Sequence, residues 1–201
     1  MKPITATSLL LLTLLATPAG AAALRPPPGY AQAAAQREHS AHACPADAAP
    51  FTGVLDFPSK YEGSDKARDD LNPKAEAEYR RRIAPISAME KGFSQQVEDY
   101  LRSGDDTARR CALDLLRSWT AAHALEGAAT THTGKSIRKW ALASVASSYL
   151  RLQRSGSDPL KNERALAAQT EAWIARLAER VVDEWKDAPV EKMNNHEYWS
   201  A

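Results

Sequence analysis

The chain has 201 residues, and its 26 Lys and Arg almost balance its 25 Asp and Glu. A formal net charge of +1 gives no overall attraction to nucleic acid, so a nucleic-acid partner is not expected. No segment reaches the roughly 18 consecutive apolar residues of a transmembrane helix, so we expect no membrane association after the N-terminal segment is removed.

That N-terminal segment, residues 1–23, is organised like a secretory signal peptide. Lys2 precedes an apolar run from Leu9 to Leu15, and Ala21-Ala22-Ala23 provides a small-residue cleavage site. The pattern predicts export, with cleavage near Ala23.

Export bears on the two cysteines, Cys44 and Cys111. An even number of cysteines in an oxidising compartment favours a disulfide, which would attach the N-terminal arm to a helix. His39 and His42 lie near Cys44, but no second cysteine stands at ligand spacing, so a zinc site is not expected.

Residues 24–73 are predicted to form an irregular arm and a loop. Prolines punctuate the stretch from Leu24 to Pro58 and prevent long helices there. The loop Ser59-Lys60-Tyr61-Glu62-Gly63-Ser64-Asp65 favours turns, and its Lys and Tyr could reach a ligand. Such a loop is equally typical of solvated surface.

From about Lys74 the apolar residues recur at helical spacing. The first helical segment, 74–101, is predicted to be interrupted at Pro85. The second is capped by Asp105-Asp106 and ends near Gly127, and the third is capped by Thr133 and ends at Ser155-Gly156. Its inward residues are predicted to include Trp140. The fourth runs from about Asn162 to Lys186, and a fifth begins near Lys192.

Because no convincing strand appears, the predicted fold class is all-α. The helix starts recur about every 28 to 30 residues, which is typical of stacked antiparallel hairpins. A solenoid or a closed ring of hairpins is therefore favoured over a four-helix bundle, with residues 74–201 as its N-terminal part.

The motif Thr131-His132-Thr133-Gly134-Lys135-Ser136 is superficially similar to a phosphate-binding loop. It has Ala129 where that loop needs glycine, and it follows a helix rather than a strand, so nucleotide binding is not expected. A helix N-terminus with basic residues one turn further on could bind an anionic group. The alternative is an ordinary capped helix on which Lys135, Arg138 and Lys139 are solvated.

The stretch Asn194-Asn195-His196-Glu197-Tyr198-Trp199 collects two amides, an imidazole and two aromatic rings. On a helix these side chains could share a face that binds a sugar, with an amide for a carboxylate and an imidazole for proton transfer. The alternative is a helix start with an asparagine N-cap and two aromatic core residues.

Taken together, these stretches resemble the polymannuronate-type alginate lyases, helical toroids of the bacterial periplasm. The resemblance rests on motifs that occur in the same order and extends over the chain after residue 23: Pro26-Pro27-Pro28-Gly29-Tyr30, Ser59 to Asp65, His132 to Ser136, Arg138-Lys139-Trp140-Ala141-Leu142, Asn194-Asn195-His196 and Tyr198-Trp199.

The resemblance implies β-elimination at C5 and O4 of a uronate, giving a 4,5-unsaturated sugar. It implies alginate as the partner, a monomer, and neither metal nor organic cofactor. Asn195 matches the amide that neutralises the carboxylate, and His196 matches the catalytic imidazole. Lys60 and Tyr61 match a mobile loop, while Ser59, Lys60, His132 and Thr133 match polymer-contacting positions. Trp140 is expected to stack on a sugar.

Two departures from the family pattern affect this expectation. Thr131 stands where relatives commonly have Asn, and the family's catalytic Arg and acid/base Tyr lie downstream of Asn-Asn-His. We therefore expect this chain, as an N-terminal portion, to expose an apolar edge and to have negligible lyase activity. The alternatives are a non-catalytic helical protein that binds an anionic polysaccharide, and a remnant without a stable fold.

Overall fold

The computed structural model describes residues 44, 48–64, 70–155 and 158–187, and these form an all-helical structure. Its four helices are α1 (Pro73–Ser103), α2 (Asp106–Ala121), α3 (His132–Gln153) and α4 (Arg164–Trp185). In the described part, extended pairing is confined to one isolated parallel bridge between Leu55 and Ala129. The prediction of an all-α fold is confirmed.

The helices pack as two hairpins, one beside the other. α1 packs against α2, and α3 packs against α4. The hairpins meet through α1 with α3 and through α2 with α4. Each helix of one pair thus contacts its counterpart in the next, which is how successive hairpins stack in helical repeat proteins.

α1 begins and ends at residues whose chemistry favours helix termini. The Asn72 side chain accepts hydrogen bonds from the backbone N–H groups of Lys74 and Ala75, and Pro73 occupies the first turn. At the other end Gly104 takes a left-handed conformation, with φ 71°, and its N–H bonds the carbonyl of Tyr100 at 2.7 Å. Asp105 then caps α2 by accepting from the N–H of Thr107.

α1 continues through Pro85, so the predicted interruption is wrong. A proline inside a helix removes one hydrogen bond and costs about 3 kcal/mol. Beyond it, Ile86, Met89, Phe93 and Val97 are all buried on one face. Each such side chain contributes about 1.5–3 kcal/mol, and together they outweigh the lost bond.

Two further predicted boundaries are also wrong. α2 ends at Ala121, not near Gly127, because the following backbone turns into the left-handed region at His123 and Leu125, with φ of 52° and 63°. The N-cap of α3 is Thr131 instead of Thr133. The Thr131 hydroxyl accepts from the N–H of Gly134 at 3.0 Å and donates to the carbonyl of Phe57, also at 3.0 Å.

Residues 48–58 of the predicted arm pack on the helical domain. Leu125 N–H donates to the Phe51 carbonyl, Leu55 N–H to Ala128, and Thr130 N–H to Leu55. The indole of Trp119 donates to the carbonyl of Ala48 at 2.8 Å. The arm therefore runs alongside the α2–α3 loop, residues 122–131.

A disulfide joins Cys44 to Cys111 of α2, as predicted, with their Cα atoms 5.3 Å apart. The bridge closes a sequence separation of 67 residues. A loop of that length corresponds to about 4 kcal/mol of lost unfolded-chain entropy. The covalent link and the backbone pairing therefore hold the arm to the same side of the helices.

The apolar edge that we expected stays a prediction. Large apolar side chains are exposed in the described residues at Val54, Leu71, Trp140 and Val182, which lie in four different segments of the chain. Trp140 was predicted to point inward, but 43% of it is exposed. The helices therefore bury their apolar stripes against one another and against the arm. No helix in the described ranges is long and apolar enough to cross a membrane.

The contact between the arm and α3 depends on the absence of a side chain at Gly134. A Cβ atom placed there would lie 2.0 Å from the carbonyl oxygen of Leu55, a buried backbone atom. We predict that Gly134→Ala lowers the free energy of unfolding by about 2 kcal/mol, even though alanine is the better helix former. Urea denaturation followed by circular dichroism measures this change.

Gly53→Ala is the matched control, because a Cβ there would first meet the Phe51 ring at 3.4 Å, an ordinary contact. We expect it to change the free energy of unfolding by less than about 1 kcal/mol. Equal unfolding midpoints for Gly134→Ala and the unmodified chain would contradict the close approach of the arm.

Candidate functional site

A pocket of about 240 Å³ lies where the Ser59 turn, the first turns of α3 and the start of α1 meet. Its lining combines hydroxyls, phenols, an imidazole, an ammonium group and an indole. Among the described residues, no carboxylate lines it. The lining residues are Ser59, Lys60, Tyr61, Tyr79, His132, Thr133, Ser136 and Trp140.

The turn that follows the arm is held by its own backbone. Ser59 Oγ accepts from the N–H of Tyr61 at 3.2 Å, and the Ser59 carbonyl accepts from the N–H of Glu62 at 3.1 Å. The Nδ2 group of Asn72, the cap of α1, donates to the Glu62 carbonyl at 2.8 Å. Lys60 Nζ lies 5.0 Å from the centre of the Tyr61 ring, a cation–π distance.

The N-terminal end of α3 also lines the pocket. His132 and Thr133 are its first two residues, and their side chains line the pocket. The first backbone N–H groups of a helix have no intrahelical acceptor and carry the positive end of the helix dipole. This wall therefore presents the partial positive charge that suits an anionic group.

Trp140 provides an apolar surface two turns further along α3. It lines the pocket and, although it has contacts within the protein, almost half of its surface remains exposed. An exposed indole beside hydroxyls is suited to pack against the flat face of a pyranose ring. The pocket therefore pairs a polar wall with an aromatic one.

Arg138 and Lys139 are buried, so the alternative in which they are solvated is wrong for these two residues. Arg138 is 1% exposed, and its guanidinium donates to the carbonyls of Leu125 and Gly127 and to the carboxylate of Glu184. Burial lowers the pKa of Arg138, and the charge of Glu184 opposes that shift. This guanidinium ties the α2–α3 loop to the end of α4.

Lys139 contacts α4 through an aromatic ring. It is 4% exposed, and its Nζ lies 4.0 Å from the centre of the Trp185 ring. Trp185 also meets His132, with the ring centres 5.2 Å apart and the planes at 68°. Trp185, the last residue of α4, thus touches both His132 in the pocket lining and Lys139.

Six of the predicted site residues line one pocket, although 81 positions separate the ends of the set in sequence (140 minus 59). They are Ser59, Lys60, Tyr61, His132, Thr133 and Trp140. Asn195 and His196 lie outside the described residues, as do Tyr198 and Trp199. We predict that Asn195 and His196 line the same cleft as Lys60 and His132.

Two lining residues were missed by the sequence analysis. Tyr79 continues the apolar spacing of α1 towards Ile83 and Ile86, so its pattern predicts a core residue. It is half-buried, and burial together with the charge of Glu90 raises its pKa. Ser136 belongs to the motif recognised at 131–136, and its buried hydroxyl has no hydrogen-bond partner within the described part.

The described part is thus an all-α protein of stacked hairpins with a pocket lined by a lysine, an imidazole, hydroxyl groups and aromatic rings. Residues 56–201 match the sequence profile of the family described as Alginate lyase. The chain belongs to this family.

Individual relatives agree with the family assignment. The alginate lyase of Pseudomonas aeruginosa is 48% identical over 181 residues, covering 90% of this chain and 49% of the relative. That of Pseudomonas putida is 46% identical over 202 residues, covering 100% of this chain and 55% of the relative. The chain therefore spans about half the length of the curated relatives it matches.

The contacts of the Arg138 guanidinium lead to a prediction about its replacement. In Arg138→Met, the Glu184 carboxylate and the carbonyls of Leu125 and Gly127 would lose their donor. Because removing one partner leaves buried polar groups uncompensated, we expect the free energy of unfolding to fall by about 3 kcal/mol. Chemical denaturation at neutral pH measures it.

Lys135→Met, one turn earlier on the same helix, removes the same charge from a lysine that is only partly buried. We expect it to change the free energy of unfolding by no more than about 0.5 kcal/mol. If the two variants were equally stable, Arg138 would not hold the loop to α4.

Proposed function

We propose that the pocket binds polymannuronate, as part of an alginate lyase that cleaves the polymer by β-elimination. The observation that carries the proposal is the lining itself: Lys60 and His132 line one pocket that has no carboxylate among its described lining residues, and the partly exposed Trp140 lines it as well. A polyuronate has an anionic group and an apolar ring face on every sugar, and this lining offers a counterpart to each.

The hydroxyl groups of the pocket support the same ligand class. Ser59, Thr133 and Ser136 can each donate to or accept from a sugar hydroxyl. Because Ser136 Oγ is buried without a protein partner in the described part, a ligand hydroxyl would satisfy a group whose isolation costs about 1–3 kcal/mol.

The proposed reaction breaks the C5–H bond and passes that proton to a base. The electron pair forms the C4–C5 double bond, the C4–O4 bond breaks, and O4 takes a proton from an acid. We assign neutralisation of the C6 carboxylate to Asn195 and proton abstraction to His196, by their match to the family motif. Negative charge that develops on the carboxylate must be stabilised for the step to proceed.

We further propose that a polypeptide of residues 1–201 binds the polymer but does not turn it over. In the family pattern the catalytic Arg and the acid/base Tyr follow the Asn-Asn-His motif, at positions beyond Trp199. Loss of an acid/base group alone typically costs about 10² to 10⁴ in rate. We propose that the two hairpins belong to an (α/α) toroid, and that the protein is a monomer.

The binding proposal predicts that two kinds of variant lose affinity to a similar extent but differ in the salt dependence of binding. Lys60→Met and Trp140→Ala should each weaken the affinity for mannuronate oligomers about tenfold, or about 1.4 kcal/mol. Lys60→Met should also reduce the salt dependence of binding, because it removes a charge–charge interaction that salt screens, while Trp140→Ala should not. Isothermal titration calorimetry at two salt concentrations measures both effects.

Lys91→Met is the control, since Lys91 is exposed on α1 and does not line the pocket. Its affinity should equal that of the unmodified chain. Unchanged affinity in Lys60→Met and Trp140→Ala would refute the pocket as the binding site. The same samples, incubated with polymannuronate, should produce no ultraviolet absorbance of unsaturated ends, and turnover abolished by His196→Ala would show that the chain is itself an active lyase.

We also propose that the protein acts in the periplasm, on the basis of the signal-peptide pattern in residues 1–23. Expression in a bacterial host should give a periplasmic product whose N-terminus lies near Leu24. Mass spectrometry of the fractionated cells tests this, and Lys2→Glu, which reverses the charge before the apolar run, should slow processing. An intact Met1 on the periplasmic protein would contradict cleavage.

A further inference from the structure

We infer that Trp185 is a positioning residue that fixes the imidazole of His132 in the pocket, and that Lys139 holds the Trp185 indole in place. His132 and Lys139 are seven positions apart on α3, so their side chains lie on the same side of the helix, two turns apart. The indole of Trp185 lies beside that face and contacts both. The inference rests on the proposed function only where it concerns sugar binding.

The contact on the His132 side is an edge contact between two rings. Their centres are 5.2 Å apart and their planes are inclined by 68°, within the range that aromatic pairs prefer. His132 is the first residue of α3, and its ring packs against the indole at the end of α4. The neighbouring indole therefore restricts the orientations open to its ring.

The contact on the Lys139 side explains why the indole stays in place. Lys139 is 4% exposed, and its ammonium lies 4.0 Å from the centre of the Trp185 ring, well inside cation–π range. Burial of a charge is unfavourable, and the face of the indole offsets part of that cost for the ammonium. The preceding residues, Arg138 and Glu184, form a partly buried ion pair that joins the end of α4 to α3.

A fixed imidazole has a direct use in the proposed pocket. A side chain that is already oriented loses less conformational freedom when a ligand binds, so affinity improves without an added contact. Trp185 does not line the pocket, and its effect on a ligand would act through His132. Loss of the indole should therefore weaken binding while leaving every lining residue in the chain.

The first test observes His132 itself and needs no sugar. In the 201-residue chain, the ring signals of His132 are assigned with His132→Gln in ¹H–¹³C NMR spectra. Trp185→Leu should move these signals towards the values of a free histidine, and Trp185→Phe, which keeps an aromatic edge, should restore most of the difference. Signals that do not move in Trp185→Leu would overturn the inference.

The second test measures binding of mannuronate oligomers by calorimetry. We expect Trp185→Leu to weaken affinity about three- to tenfold, and Lys139→Met to have a smaller effect in the same direction. Val181→Ala, a truncation of a buried residue one turn earlier on α4, is the control for general loss of stability. Equal weakening by Val181→Ala would attribute the effect to folding and overturn the inference.

The two tests separate this inference from the proposed function. If the unmodified chain bound no oligomer while Trp185→Leu moved the His132 signals, the proposed function would fail and the positioning role would stand. If the chain bound the oligomer and Trp185→Leu bound it equally well with unchanged His132 signals, the positioning role would fail alone.

Discussion

The pairing of the arm with the α2–α3 loop is the interaction on which the rest of the structure depends. Leu55 contributes both its N–H and its carbonyl to this pairing, and its side chain is fully buried. Its carbonyl lies so close to Gly134 that no side chain fits between them. The arm therefore crosses directly over the start of α3. Because the Ser59 turn follows Leu55 by four residues, this crossing places Lys60 in the same pocket lining as His132.

The disulfide and two indoles limit how far this crossing can move. Cys44 is bonded to Cys111, and Trp119 donates to Ala48, so the arm is attached to α2 before it reaches the loop. Trp173 donates to the carbonyl of Ala124 at 2.8 Å and attaches the loop to α4. The pocket is consequently built by irregular segments that are each fixed to a helix, which suits a site that must keep its geometry on the surface.

The sequence predicted the elements better than their ends. Asn72, Asp105 and Gly104 act through local chemistry, so the caps around α1 and α2 can be recognised from neighbouring residues alone. Thr131 and Thr133 are equally good hydroxyl caps, and the bond from Thr131 to Phe57, 74 positions away, decides between them. Pro85 was misleading for a related reason. The burial of the apolar side chains that follow it on α1 outweighs the local tendency of a proline to interrupt a helix.

The candidate site was predictable where its residues belong to motifs and unpredictable where tertiary contacts decide. His132, Thr133 and Lys60 could be identified from the family resemblance, whereas Tyr79 continues a helical apolar pattern and gives no sign of lining a pocket. Arg138 and Lys139 appear as two more charges of a solvated helix surface. Only the structure shows that Arg138 contacts a carboxylate on α4 and that Lys139 contacts an indole there.

Those two contacts have a consequence for the part of the chain that follows α4. Arg138 and Lys139 are consecutive on α3, and their partners, Glu184 and Trp185, are consecutive on α4, so the last turn of α4 is fixed beside His132. Asn195 follows Trp185 by ten residues (195 minus 185), which span at most about 36 Å when fully extended. The starting point of this span lies at the wall of the pocket. Arg138 and Lys139 therefore hold the end of α4, from which the chain continues towards the proposed catalytic amide and imidazole.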